Sequence, residues 1–535
     1  MRKRKLTIAW LVLLGVVAAA GVWPLARMVS RVATRTGLLQ VLADGRTWTL
    51  LGRTAGLAAA VAVLATSLGT ALGYRLGARR WRGKTIARTM LLVPIAIPPY
   101  LHAVGWTTLL RPDGAVAGIV ARLLGMTPVE VASAFTGFGG ALVVMTAAYF
   151  PIAALFAEKS LAWMSPSLVE AARVCGAGRW QTLCVAYWPA LRPAVVSSAM
   201  IVFLLASSDL GVPTLLKIRV FNTEVFTQLS AFHDTAAAVM LALPLVALGL
   251  LVVRIERGIT VGDAAPIDAS ELDMPRPAGR AETFTNWAIF AACGAVLLVL
   301  PLGAVMMLGA DAHALRSMAG LALRPAGNSL RYGLATAVAA TTLALALASL
   351  LRGTARWRQD LSDAVVVTGF AIPSTILALA LLGCYGLPAT AGAIAPESLV
   401  IAALTARYLI VAFRIVGGAL ARVPDELFEA AALAGARWWP CARHVVLPLL
   451  RPALLAAGGA TFVLSLAEVG STILLYPPGG ETLLITLLSI EANSPRACVG
   501  ALTLMQVVPV VVAVIGVAGA VAWLRPARRR APAPR

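Results

Sequence analysis

Charge is what this chain lacks. Only 13% of its 535 residues are charged, 59% are hydrophobic and the mean hydropathy is +0.85, whereas a soluble domain carries about 25% charged residues. That balance excludes an ordinary soluble globule and points to an integral membrane protein. Histidines number four and cysteines six. Cys175, Cys184, Cys293, Cys384, Cys441 and Cys498 offer no close pairs of the kind a disulfide framework needs, so they read as small buried or loop thiols. His102 and His233 read as polar contacts. With no metal-ligand spacing, no cofactor is expected in this chain. A membrane-embedded enzyme would need acids, histidines or a nucleophile converging on one place, and the sequence offers no such group.

Acids are scarcer than bases, and the net charge is +21. In a membrane chain the first question is which loops hold the cations. Arg2, Lys3, Arg4 and Lys5 open the chain; Arg75, Arg79, Arg80, Arg82, Lys84 and Arg88 crowd one short loop; Arg525, Arg528, Arg529, Arg530 and Arg535 end it. All three groups fall on one side of the membrane, as the positive-inside rule asks of cytoplasmic loops. Arg27, Arg31, Arg35 and Arg46 lie opposite and weaken the bias without reversing it. The charge therefore concerns topology and lipid, and no nucleic-acid partner is expected.

A crossing needs about 20 mostly apolar residues. Twelve such runs are legible: 6–27, 50–74, 88–109, 136–157, 192–215, 235–253, 285–309, 328–351, 363–386, 398–420, 451–475 and 500–524. The first is too long for a signal-peptide core and reads as a retained span. Residues 255–284, with mixed charge, Pro and Gly, read as a cytoplasmic linker. The expected organisation is a first repeat over 1–254 and a second over 285–535 with a basic tail, 525–535.

The two halves repeat one another. An offset of 259 joins Glu170 to Glu429, Gly176 to Gly435, Trp180 to Trp439, Pro189 to Pro448, Tyr149 to Tyr408 and Asp209 to Glu468. Earlier in each half the offset is 277 (Gly56 to Gly333) and then 275 (Ile97-Pro98 to Ile372-Pro373). The slip falls between the third and fourth spans, where the first copy has a long loop, 110–135, expected to be external. Loops absorb such changes more readily than packed spans. Six crossings separate Glu170 from Glu429, so both lie on one face, in a parallel repeat about an axis along the membrane normal. The fold class expected is an all-α polytopic membrane protein of two six-helix repeats.

The most polar repeated stretch is "EAARVCGAGRW", 170–180, rewritten as "EAAALAGARWW", 429–439. It reads as a short helix, a glycine-permitted bend and a second short helix running into a span. Ser165-Pro166 could start the first copy with proline at the first helical position, or Ser167 and Glu170 could form a capping box; Pro424, Asp425 and Glu426 give the second copy an acidic start. The alanines leave a narrow face that another protein can approach, and Pro189 and Pro448 mark the return into the membrane.

E-A-A, glycine six positions after the glutamate and proline thirteen after that resembles the EAA loop of permease subunits of binding-protein-dependent ABC importers, here present twice. One departure is "YWPA" around Pro189, where the family more often has an aliphatic residue before the proline, as Leu447-Pro448 does. The resemblance implies the fold of a type I ABC importer permease. It also implies an ATPase-coupling role for Glu170, Ala171, Ala172, Gly176, Pro189, Glu429, Ala430, Ala431, Gly435 and Pro448. The implied partners are cytoplasmic ATP-binding subunits in two copies and an extracytoplasmic solute-binding protein. The implied location is the bacterial inner membrane, with both termini cytoplasmic.

Two further readings concern nucleotide and solute. Residues 78–85, "ARRWRGKT", match a relaxed P-loop pattern, but four bulky residues fill the loop and no strand precedes it; they read as a topology anchor. Asp209 and Glu468 are acids in apolar spans and so candidates for function. Either they line the translocation path or its outer gate, or they cap a helix broken at Gly211 and Gly470. The stretches "FNTEVFTQLS" and "LLYPPGGETLLITL" look like those of the ferric-iron permease group, whose superfamily also carries thiamine, 2-aminoethylphosphonate, polyamines and sulfate. An ion-coupled secondary transporter is the rival class; it would bury coupling carboxylates at mid-membrane.

Overall fold

The computed structural model describes residues 2–33, 43–114, 116–162, 164, 166–260, 277–385, 395–436, 438–491 and 493–524. Among these, the regular elements are helices, with one isolated bridge between Arg80 and Pro277. Among the described residues, nine helices are long and apolar enough to cross a membrane: Gly45–Gly77, Phe138–Leu161, Arg179–Ser208, Ala237–Glu256, Arg280–Gly309, Ala312–Leu351, Pro396–Leu420, Trp439–Leu466 and Arg496–Val521. Of the four bent pairs that pass the same test together, three fall on the remaining expected crossings: Leu6–Ala20 with Val22–Ser30, Lys84–Ala96 with Pro99–Leu109, and Arg356–Ala371 with Ser374–Tyr385. These spans are numbered 1 to 12 in chain order. The face carrying Glu170 and Glu429 is called the near face and the opposite one the far face.

The bends have a local cause. Spans 3 and 9 turn by 93° and 104° at Ile97-Pro98 and Ile372-Pro373, where the residue before proline is pushed out of helical backbone. Ile97 and Ile372 take ψ of 122° and 125°. Spans 5 and 11 differ from the expected runs, 192–215 and 451–475. Their helices begin earlier, at Arg179 and Trp439, and break at Ser208 and Leu466. Pro189 and Pro448 interrupt neither helix. A five-residue π-turn precedes each, Leu183–Tyr187 and Ala442–Val446, as another, Ala295–Val299, precedes Pro301 in span 7. The wider i to i+5 bonding shifts register just where proline removes a donor.

The loop expected over 110–135 holds a helical hairpin, Ala117–Leu124 and Pro128–Phe135, bent by 100° and capped through Thr127 and Glu130. Its counterpart, 386–394, lies outside the described residues, as do 261–276 of the linker, Ser165 and the basic tail 525–535.

Packing within a half relies on small residues, as it must where lipid removes the hydrophobic drive between helices. A Cβ on Gly69 would lie 2.2 Å from the Phe150 carbonyl oxygen, and one on Gly73 2.3 Å from that of Ala154. Spans 2 and 4 therefore pack with their backbones nearly touching. Packing between halves is by exchange. Trp10 of span 1 is buried against span 9, its Nε1 donating to Ser362 Oγ at 2.9 Å. In return, a Cβ on Gly105 of span 3 would lie 2.5 Å from the carbonyl oxygen of Pro301 in span 7. The 78–85 loop also belongs to this exchange. Trp287 Nε1 donates to the Arg82 carbonyl at 3.1 Å, and Trp81 stacks edge-on against Trp287 with ring centroids 5.8 Å apart.

Candidate functional site

On the near face the two glutamate-led segments fold alike. Helix Pro166–Val174 carries Glu170, Ala171 and Ala172; helix Asp425–Leu433 carries Glu429, Ala430 and Ala431. The first begins at Pro166, so Ser167 lies inside it and not at a capping position. Each helix ends in a Schellman motif. Gly176 N–H donates to the Arg173 carbonyl at 2.9 Å and Ala177 N–H to that of Ala172 at 3.0 Å; Gly435 and Ala436 repeat this toward Ala432 and Ala431 at 3.0 and 2.9 Å. The motif requires left-handed backbone at its glycine, and φ is +81° at Gly176 and +72° at Gly435. A Cβ would meet nothing within 4 Å at either place, so backbone conformation and not space demands glycine.

Both helices expose an apolar surface. Leu168, Val174 and Trp180 are 56%, 88% and 74% exposed, and their counterparts Leu427, Leu433 and Trp439 are 40%, 91% and 56% exposed. Three matched pairs of large apolar residues are thus left uncovered by the rest of the chain, alike in the two halves. Pro189 is exposed and Pro448 half-buried; both sit beyond this surface, in the helices that lead from it.

The two segments are seated differently. The second is clamped by Arg352, at the end of span 8. Its guanidinium donates to the carbonyls of Leu420 at 3.0 Å and Val423 at 2.6 Å, pairs with Asp425 at 2.6 Å and lies 4.0 Å over the ring of Phe428. The counterpart of Arg352 is Arg75, which bonds Asn286 instead, at 3.0 Å. The first segment is held by an apolar cluster that includes Leu161, Val169, Tyr187 and Leu191, beside an edge-on Tyr74–Tyr187 pair at 5.1 Å.

Toward the far face, Asp209 and Glu468 sit at the breaks that end spans 5 and 11, and each caps the turn beyond its break. Asp209 Oδ1 accepts from Val212 N–H at 2.8 Å, and Glu468 Oε1 from Ser471 N–H at 3.4 Å. Each also accepts a phenol from its own half: Tyr149 to Asp209 at 3.4 Å and Tyr408 to Glu468 at 2.5 Å. Gly211 and Gly470 let the breaks approach the bent spans; a Cβ would meet Tyr100 Cβ at 3.2 Å or Ser374 Oγ at 2.2 Å. The four oxygen-bearing side chains and Arg407 line a cavity of about 60 Å³ between the halves.

A second cavity, of about 1080 Å³, runs from Arg352, Leu420 and Ala421 at the near face to Ile95 and Leu205. Ile95, Ile152, Leu205 and Leu464 border both cavities, so the small cavity holding the acid pair adjoins the larger one.

The two sequence stretches after spans 5 and 11 form short helices, Phe221–Ser230 and Leu483–Glu491. Phe221 N–H donates to Thr54 Oγ1 and Leu483 N–H to Ser329 Oγ, both at 2.9 Å, so a hydroxyl from span 2 or span 8 caps each. Asn222 crosses between halves, accepting from Thr375 Oγ1 at 3.1 Å. Sequence reasoning misses Arg352 and Arg407. Arg407 has a signal, since it is an ionisable residue within an apolar helix; Arg352 has none, because its partners are carbonyls 68 and 71 positions away.

The chain resembles known proteins in both halves. The family model described as binding-protein-dependent transport system inner membrane component matches twice, over residues 65–260 and 340–530. A Haemophilus influenzae protein named as a ferric transport system permease, FbpB 1, is 25% identical over 411 residues, covering 73% of this chain and 64% of its own length. PhnV of Salmonella paratyphi A, named as a 2-aminoethylphosphonate transport system permease, is 32% identical over 140 residues, covering 26% of this chain and 51% of its own length. A Sinorhizobium fredii protein named as an ABC transporter permease, y4fN, is 23% identical over 467 residues, 82% of this chain and 81% of its own. The chain thus matches only part of the length of the first two.

Proposed function

This chain belongs to the family of binding-protein-dependent transport system inner membrane components, with two family repeats fused in one multi-pass permease, and on that premise we propose how it works. The repeats correspond to residues 1–254 and 285–535, joined by 255–284. Glu170, Ala171, Ala172, Gly176 and Pro189, with Glu429, Ala430, Ala431, Gly435 and Pro448, form two coupling elements. Each meets one copy of a cytoplasmic ATP-binding subunit, so the near face and both termini are cytoplasmic.

The observation that carries this reading is the matched pair of exposed apolar helices ending in Schellman glycines on one face. A coupling element must be rigid and must distinguish two states of its partner, since a ligand shifts an equilibrium only by its differential affinity. ATP hydrolysis then resides in the partner. An extracytoplasmic protein delivers the solute at the far face, where Asp209 and Glu468 line the path at its closure. The larger cavity corresponds to a state open to the cytoplasm.

Iron(III) is the proposed cargo. Support comes from the ferric name of a relative matched over 73% of this chain and from the hard oxygen donors at the closure, which suit such a cation. The name of PhnV makes 2-aminoethylphosphonate the second reading; thiamine, polyamine and sulfate are further cargoes of the same class.

The experiment is uptake by cells carrying this permease with its ATPase and binding protein. The double variant Glu170→Lys, Glu429→Lys is expected to abolish uptake while remaining in the membrane. Undiminished uptake by that variant, or uptake without the ATPase, overturns the coupling reading. Radiolabelled iron and phosphonate given in parallel decide the cargo.

A further inference from the structure

The far-face closure departs from its own two-fold symmetry in charge. Tyr149 matches Tyr408 and Asp209 matches Glu468, but the residue before each tyrosine is Ala148 in the first half and Arg407 in the second. Arg407 is 3% exposed. Its Nε lies 3.0 Å from Glu468 Oε2, and its Nη1 donates at 3.1 Å to the Ile372 carbonyl, at the bend of span 9. Glu468 therefore has a guanidinium, a phenol and a backbone amide for partners. Asp209 has only the phenol and the amide, and among the described residues no cation lies within ion-pair distance of it.

With both acids ionised, two carboxylates against one guanidinium leave the cavity a charge of −1. An uncompensated carboxylate within a membrane protein is costly to keep, and removing one partner from a buried pair is costlier still. The asymmetry therefore assigns unequal duties to the two acids. We propose that Arg407 is a positioning residue, the resident counter-ion of Glu468, and that Asp209 is thereby left as the carboxylate that takes a cation in transit. This rests on the pathway proposed above and not on the coupling elements. Arg407 ties the break after span 11 to the bend of span 9, so the second half is the fixed side of the closure and the first half the exchangeable side.

The test uses the full-length chain purified in lipid nanodiscs, with Tb³⁺ as the probe, an oxygen-seeking trivalent ion whose luminescence nearby tyrosines sensitise. Asp209→Asn is expected to weaken Tb³⁺ binding at least tenfold, and Glu468→Gln to change it less than threefold. Arg407→Gln, which leaves both acids uncompensated, is expected to tighten binding about tenfold, and Arg407→Lys to restore the parent value. A purely structural role for Arg407 would not raise affinity. Ala148→Arg, which gives Asp209 its own counter-ion, is expected to match Asp209→Asn. Unchanged binding in Asp209→Asn, or a larger loss in Glu468→Gln than in Asp209→Asn, overturns the proposal. Neither ATPase nor binding protein enters the assay, so its failure is separate from a failure of coupling.

Discussion

Arg88 and Asp363 hold the same position in the two halves and carry opposite charge. Arg88, in span 3, grips the buried Glu158 of span 4 through both Nε and Nη2, whereas Asp363, in span 9, lies 2.9 Å from Arg414 of span 10. Each half thus ties its third span to its fourth by ion pairing, with Lys84 joining Arg88 at Glu158 in the first half at 3.7 Å, and the polarity is reversed between them. A duplicated scaffold can keep a contact while exchanging its signs, because what the packing needs is neutralisation and not a particular order of charges.

That reversal makes a prediction about stability. Glu158 is 1% exposed, so Glu158→Gln leaves Arg88 without its full partner at a cost of about 3–5 kcal/mol, the range for one half of a buried pair. The reversed double variant Arg88→Glu, Glu158→Arg, which copies the polarity of the second half, is expected to recover part of it, and with Lys84→Gln added, which removes the like charge facing position 158, most of it. Thermal unfolding in detergent measures both. A double variant no more stable than Arg88→Glu alone would mean that the surroundings fix the signs.

Backbone conformation makes the next. A side chain at Gly435 must adopt φ near +72°, at a cost of about 1–2 kcal/mol for an L-residue. Gly435→Ala is expected to lower uptake several-fold and Gly435→Asp to abolish it, with membrane levels unchanged by immunoblot. Space is open at that Cβ, so equal, full activity in both variants would show that the bend is dispensable.

The clamp on the second glutamate-led helix can be read by hydrogen exchange. Arg352→Ala removes the donors to Leu420 and Val423 and the pair with Asp425. Amides of 425–433 are expected to exchange at least tenfold faster, with those of 166–174 unaffected, because Arg75 is directed to Asn286 instead. Equal acceleration of both segments would contradict their separate seating.

The close approach at Gly470 bears on the far-face closure. A Cβ there would lie 2.2 Å from Ser374 Oγ, so Gly470→Val should hold the break away from the bend of span 9. Cysteines introduced near Asp209 are then expected to react with a charged thiol reagent from the outside, and Ser374→Gly to reverse that. Unaltered reactivity would show that the break moves independently of the bend.

The residue pattern by itself determined the membrane class, the long apolar runs, the duplication and the paired glutamate-led segments. Apolar run length and a fixed offset are properties of the chain alone, and the demand of lipid that every crossing satisfy its own backbone leaves little else for such runs to be. The glycines at 176 and 435 could be placed because their bend is local. Four things were decided only by tertiary structure. Spans 1 and 7 reach across to the opposite half, the 78–85 loop lies under Trp287, Arg352 grips carbonyls of another helix, and Arg407 reaches Glu468 beside an acid that has no such partner. Each of these joins residues tens to hundreds of positions apart through shape and direction. Composition and spacing record which residues can meet; they do not record which side of a helix meets which neighbour.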